Sequence, residues 1–300
     1  MFEPFIDKLR NSTFITLETT PSRSAQFAPT IEKIAALGLD KLVDGFSTTD
    51  NPLAKLKYNA LFAAMKLQDR FDKPTLATMS MRDRNRIALQ SDLLGANEAN
   101  VRAILALTGD SAHYSDQPHA KGVFEGNSKL LLDIITTLNN GTDMAEQKLL
   151  SPVQEIYPFA VTDSYAKSSA TLQKKMSKKV AHGAIGIISQ PVYDLENARQ
   201  LLEMMENANS EHDGHCVLIL GYFPITKLRT ARFLDENVPG IYVPLEWVKA
   251  LEEASLISIE EEYRVGFELS KNLFEELKAL HPKIHIMTAN QFELAKAILS

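Results

Sequence analysis

The feature that most constrains this sequence is an alternation. Eight short apolar runs, each followed by a stretch of helical period, fill 300 residues. The runs are FITLE at 14–18, KLVDGF at 41–46, PTLATM at 74–79, VRAILAL at 101–107, EIYPFAV at 155–161, IGIIS at 185–189, CVLIL at 216–220 and KIHIM at 283–287. Strands separated by helices cannot pair through tight hairpins, so neighbouring strands lie parallel and the helices cover the sheet.

Helices are expected near 26–37, 53–71, 84–97, 127–140, 165–182, 194–208 and 225–236, then a longer pair near 245–254 and 259–280 and a closing helix at 290–299. Local punctuation agrees. Asp50, Asn51 and Pro52 stand where the second helix is expected to open, and Gly38, Gly141 and Gly183 follow the first, fourth and fifth. No Pro/Gly/Ser-rich linker divides the chain and no fixed repeat appears. Eight such units in this length read as one α/β domain over residues 1–300: a (β/α)8 TIM barrel with an extra helix before the last strand. An open doubly wound sheet is the alternative, but the first strand runs into TTPSRS instead of a glycine-rich phosphate turn.

Composition narrows the function classes. The net charge is -6, with 32 basic against 38 acidic residues, so the general basic footprint of a nucleic-acid binder is missing. A hydrophobic fraction of 45% supplies a large core and excludes disorder. The lone Cys216 excludes a disulfide framework and a Cys-rich zinc site, which fits a reducing, cytoplasmic setting. The charged start, MFEPFIDKLRNSTFITLE, has no run suited to a signal peptide or membrane span.

Active sites of such barrels form where strands end at their carboxyl side, so each strand exit can be read for polar residues. Glu18 ends the first strand and leads into Thr19, Thr20 and Pro21 with no helix to cap, which favours a chemical role. Asp110 follows Thr108 and Gly109 after a fully apolar strand, and the glycine would let a flat ligand approach the backbone. Asp50 and Asp83 read instead as helix caps or partners of loop arginines. Ser189 and Gln190 end the sixth strand, and Thr288 and Asn290 the eighth. His212 and His215, beside Cys216, have metal-like spacing but sit in a polar loop at the opposite rim, so no metal is expected. Lys178 and Lys179 end a basic helix and are read either as a solvated face or as a phosphate contact. No GxSxG elbow or P-loop occurs.

LETTPSRS at 17–24, DGFSTTDNP at 44–52, RDRNRIALQSDLLGA at 82–96, ILALTGD at 104–110, KKVAHGAIGIISQPVYD at 178–194 and VPGIYVP at 238–244 together resemble methylenetetrahydrofolate reductase, in order and over nearly the whole chain. The resemblance implies noncovalent FAD, reduced by NAD(P)H or another electron donor, that reduces 5,10-methylenetetrahydrofolate to 5-methyltetrahydrofolate in one-carbon and methionine metabolism. It further implies that Glu18 and Asp110 are catalytic, that Gln190 and Thr16 bind substrate, and that Thr49, Thr108, Gly109, Asp110 and Lys179 contact the flavin. Expected partners are the folate substrate and either a second copy of the chain or an electron-donor protein.

The implied roles make chemical sense. Opening the folate methylene bridge needs a proton on the leaving nitrogen, which a partly buried Glu18 would supply. Asp110 would act through a poorly screened field, and the Gln190 amide would pair with the edge of a pterin. The sequence departs from the family pattern at Thr20-Pro21, Thr78, 97–100, 158–166 and Gln291, changes that leave the folate residues intact. Two alternatives stay open: a related barrel reductase with a different donor or one-carbon carrier, and a non-catalytic folate- or flavin-binding subunit.

Overall fold

The computed structural model describes Met1–Ser300. Eight parallel strands close into a barrel in sequence order: β1 (Phe14–Thr19), β2 (Gly45–Thr48), β3 (Thr75–Ser80), β4 (Ala103–Leu107), β5 (Tyr157–Thr162), β6 (Gly186–Pro191), β7 (Val217–Tyr222) and β8 (Lys283–Ile286). β8 pairs with β1, which closes the ring and leaves no strand edge. The expected (β/α)8 barrel is the observed fold.

The strands read as continuous apolar runs because both faces are buried against different partners. One parity, including Ile15, Leu17, Phe46, Ala77, Met79, Ile104, Ala106, Ile187 and Leu218, packs against the surrounding helices in a cluster of 58 buried residues. The other parity, Phe14, Leu76, Ala103, Leu105, Tyr157, Phe159, Ile188 and Ile219, fills the barrel interior. Inward positions thus alternate along every strand, which places Thr16 and Glu18 of β1, Ser47 of β2 and His285 of β8 on the interior parity.

Outside lie α2 (Ala28–Leu37), α3 (Ala60–Phe71), α4 (Arg86–Glu98), α5 (Ser128–Asn139), α6 (Ser169–Ala181), α7 (Leu195–His212), α8 (Leu228–Asn237), α9 (Leu245–Ile257), α10 (Ile259–Leu280) and α11 (Phe292–Leu299). The expected extra helix is present, since α8, α9 and α10 all separate β7 from β8. None of the helices is long and apolar enough to cross a membrane.

Three expectations are corrected. α1 (Phe2–Asn11) was not anticipated; its Phe2, Phe5, Ile6 and Leu9 form one helical face and plug the amino end of the barrel. The second expected helix does not open at Pro52, which begins only a single 3-10 turn; α3 starts eight residues later, where the Asn59 side chain accepts from the N–H groups of Leu61 and Phe62. Of the expected His212–His215 loop, only the part from Asp213 on is loop; His212 closes the last turn of α7 and contacts Ser177 Oγ at 2.8 Å.

Candidate active site

β1 delivers Glu18 to the inner wall near the carboxyl end of the barrel, in register with Ser47 of β2. The side chain keeps partial contact with solvent, yet the surrounding protein desolvates it and pushes its carboxyl up to about 7. Burial is the only cause; no cation or hydrogen bond offsets it. One inward step below, Thr16 Oγ1 lies 2.7 Å from His285 Nδ1, and Ser47 Oγ lies 3.3 Å from His285 Nε2. Burial pushes the imidazole down to about 4, so it is neutral near pH 7. Across the mouth, the Asn290 side chain clamps both backbone groups of Thr20, at 2.9 Å to its N–H and 2.6 Å to its carbonyl, tying the β8 exit to the β1 exit.

The β2, β3 and β4 exits are locked by ion pairs and backbone contacts. Asp50 does not cap a helix: its Oδ2 accepts from Ser80 N–H at 3.0 Å and from Arg84 at 2.6 Å. Asp83 pairs with Arg82 at 2.6 Å, and α4 is capped by Asn85 instead. The loop-arginine reading of both aspartates therefore holds and the capping reading does not. Asp110 is exposed, and its Oδ2 accepts from the N–H of Leu53 at 2.6 Å. Leu53 and its neighbours Asn51 and Ala54 have φ of 54°, 45° and 55°, the left-handed region that costs non-glycine residues energy. Asp110 thus holds a strained turn of the neighbouring loop. Close packing and backbone conformation both call for glycine at 109: at φ 91° a Cβ would meet Ser80 Oγ at 2.6 Å.

Gln190 owes its position to an irregularity at the end of β6. The β6–β7 register shifts between Ile188 and Pro191. Ser189 Oγ accepts from Gly221 N–H at 2.9 Å and donates to the Gln190 carbonyl at 2.8 Å. A Cβ on Gly221 would collide with the Ser189 carbonyl, so only glycine lets the strands meet there. Gln190 then lines a cavity of about 410 Å³ together with Thr108, Thr162, Lys129, Lys178 and Lys179. Lys175 also faces it, paired with Asp163 at 2.8 Å. Lys179 reaches the Val161 carbonyl, and desolvation lowers its ammonium to about 8, with Asp163 opposing the shift. The buried hydroxyls of Thr162 and Thr49 have no hydrogen-bond partner in the protein. A lysine-lined cavity with an unsatisfied donor suits a multiply charged anion such as a diphosphate.

A second cavity of about 420 Å³ lies between the β7 exit and α8, lined by Phe223, Thr226, Lys227, Arg229, Phe233 and Gln291. No cluster of His, Cys, Asp or Glu could hold a metal ion.

A model of the methylenetetrahydrofolate reductase family matches residues 5–300. The chain belongs to that family. Among solved structures it is similar to an uncharacterized protein from Clostridium thermocellum that binds two copies of 5-methyl-5,6,7,8-tetrahydrofolic acid. That likeness has a TM-score of 0.63 at 14% identity and covers 100% of this chain and 98% of the other, which speaks to the fold. No curated protein matches the sequence.

In this methylenetetrahydrofolate reductase family member the residues singled out from sequence fall into two groups. Thr16 and Glu18 share the β1 wall with Ser47 and His285, whereas Thr108, Lys179 and Gln190 share the lysine-lined cavity. Asp110 stands apart from both, at the β4 exit, where it holds the loop after β2 through Leu53 N–H. Sequence reasoning gave no site role to His285, Ser47 or Thr162, although Ser47 stands among the polar residues at the second strand exit. The first two carry the signal of interior strand parity; Thr162 carries none, because only the packed structure leaves its hydroxyl unpaired.

Proposed function

We propose that this protein is a flavin-dependent reductase of 5,10-methylenetetrahydrofolate, with Glu18 as the general acid. One observation carries the reading: an isolated carboxyl, held near neutral pKa by burial alone, at the mouth of a barrel of this family. A carboxyl titrating near 7 is protonated often enough to act as an acid and strong enough to give the proton up.

Family membership and the residues at the mouth support FAD as the cofactor. Lys178 and Lys179 offer cations for its diphosphate, and the Thr49 and Thr162 hydroxyls are donors still lacking an acceptor. FAD, when bound, supplies the hydride. The chain's own residues do the rest. Glu18 delivers a proton to the folate nitrogen that leaves as the methylene bridge opens. Gln190, fixed by the Ser189–Gly221 contact, offers a donor and an acceptor to the pterin edge. Thr16 lies below them as part of the polar wall. Asp110 adds negative charge at the rim.

A second reading is a folate-binding barrel that carries another pterin in place of flavin. It is favoured by the engagement of Asp110 with Leu53 and by the two methyltetrahydrofolate copies bound by the C. thermocellum protein. One experiment separates the two. The purified protein is incubated with FAD, desalted, reduced by NADH, NADPH or dithionite, and mixed with 5,10-methylenetetrahydrofolate. The reductase reading expects retained flavin absorbance and one 5-methyltetrahydrofolate per flavin reoxidised. Tight folate binding with no flavin uptake supports the second reading instead.

A further inference from the structure

Glu18 lies one residue beyond the last rung that joins β1 to β8. That ladder begins with Phe14 opposite Lys283 and ends with Leu17 opposite Ile286. On the other side β2 stays in register through Glu18 and Thr19, and the Thr49 N–H reaches the Thr19 carbonyl at 3.1 Å. Nothing tethers the Glu18 carboxyl itself: no hydrogen bond and no neighbouring charge acts on it. Its place in the mouth is therefore set by the backbone that carries it, and on the β8 side that backbone runs past the paired strand.

Asn290 fills that gap. Its side-chain carbonyl accepts from the Thr20 N–H at 2.9 Å and its amide donates to the Thr20 carbonyl at 2.6 Å. One side chain thus serves both backbone groups, as a neighbouring strand would. A tight turn brings it there: the Gln291 N–H returns to the Thr288 carbonyl at 3.0 Å, and both central residues, Ala289 and Asn290, have left-handed φ, at 49° and 64°. Asparagine tolerates that conformation and alanine does not. Thr288 adds a buried hydroxyl without a hydrogen-bond partner. Costs gathered in three consecutive residues persist only where something else holds the chain in place, and the two bonds to Thr20 do that.

We propose that Asn290 is a positioning residue: in place of a sheet partner it clamps the β1 exit, and so fixes where the Glu18 carboxyl stands and how closely the protein shields it from water. The inference rests on the reading of Glu18 as the acid and adds what holds that acid in place. A proton donor with no partner of its own is aimed by its backbone alone, and a small displacement at the reacting atoms is enough to slow a reaction. Burial is what raises the Glu18 carboxyl, so a β1 exit freed on the β8 side admits water and lets the carboxyl fall back towards its ordinary value near 4.5. Neighbouring charges do not enter: His285, just below, is neutral near pH 7, Asp50 is paired with Arg84, and Asp110 is bound to the Leu53 N–H. The competing explanation for Asn290 is its tolerance of a left-handed φ, and glycine separates the two.

Asn290→Gly keeps the left-handed turn, which glycine adopts without strain, and removes only the clamp. The test is a titration of the Glu18 carboxyl by carbon-13 NMR of ligand-free protein, with the resonance assigned by its loss in Glu18→Gln. The midpoint should fall by about one pH unit in Asn290→Gly. Asn290→Ala, which lacks the clamp but keeps the conformational cost, should shift the midpoint as far while melting at a lower temperature than the glycine variant. In turnover, Asn290→Gly should slow the folate half-reaction roughly ten- to a hundredfold through its maximal rate, with KM and reduction by the donor near wild type. A wild-type midpoint in Asn290→Gly, or a shift confined to Asn290→Ala, would overturn the proposal. Because the titration uses no substrate, failure of the clamp is seen apart from failure of the folate reading: the midpoint moves as expected even if methylenetetrahydrofolate proves not to be the substrate.

Discussion

Glu18 and Asp110 both end barrel strands, yet the fold gives them opposite surroundings. Glu18 is desolvated with no cation or hydrogen bond to offset its burial, and its carboxyl rises to about 7. Asp110 is exposed to solvent and accepts a backbone N–H at 2.6 Å from a loop of three left-handed residues. A carboxyl in the first setting can exchange a proton near neutral pH. One in the second, screened and hydrogen-bonded, is suited to holding a loop and contributing fixed charge. In the proposed reaction, proton chemistry therefore falls to the β1 exit, while the β4 exit shapes the mouth.

The largest expected effect follows from that division. Glu18→Gln keeps size and polarity but has no proton to release; folate-dependent reoxidation of the flavin should slow at least about a hundredfold, while reduction by the donor stays near wild type. Stopped-flow measurement of the two half-reactions checks this, and equal slowing of both would erase the contrast between the exits.

Lys179→Met should weaken flavin affinity by roughly ten- to a hundredfold, the worth of a charge-assisted hydrogen bond, with little change in the Glu18 titration. Since burial lowers the Lys179 ammonium to about 8, wild-type flavin affinity should itself fall as pH rises past that value. Fluorescence titration with FAD across pH reads both.

Asp110→Asn should do less, slowing the folate step a few-fold while freeing the 51–54 turn, because a neutral amide is a weaker acceptor for Leu53 N–H. Faster hydrogen exchange at Leu53 would register the release, and a loss as large as that of Glu18→Gln would return Asp110 to the chemistry.

Stability should show the smallest effect. The folded Glu18 carboxyl, near 7, binds a proton more tightly than the unfolded one near 4.5. The native state thus holds the extra proton between these values, and stability contributed by this group falls as pH rises through that window. Glu18→Gln should raise Tm by a few degrees at pH 8 and hardly at all at pH 4.5, as calorimetry can show.

Much of this architecture was legible in the sequence because strands buried on both faces declare themselves as apolar runs. All eight runs became strands. The DNP punctuation at 50–52 misled, since Asp50 serves Arg84 and the true cap, Asn59, carries no stronger local signature. α1 had a readable stripe in Phe2, Phe5, Ile6 and Leu9, hidden by its charged neighbours. Within the site, Glu18 stood out because no helix begins directly after it, α2 starting only at Ala28. His285 did not, because its contacts with Thr16 and Ser47 arise only when β8 closes onto β1. The basic cavity was half visible in Lys178 and Lys179; Lys129 and Thr162 join it only through the packing of α5 and α6 around β5.

The most direct test of Glu18 as the acid is the pH dependence of folate-driven flavin reoxidation, followed from pH 6 to 9 in wild type and Glu18→Gln. The account predicts a wild-type rate that is level below about 7 and falls about tenfold per pH unit above it, and a variant rate that is slow and flat over the same range. A Glu18→Gln rate that keeps the wild-type magnitude and slope would contradict it.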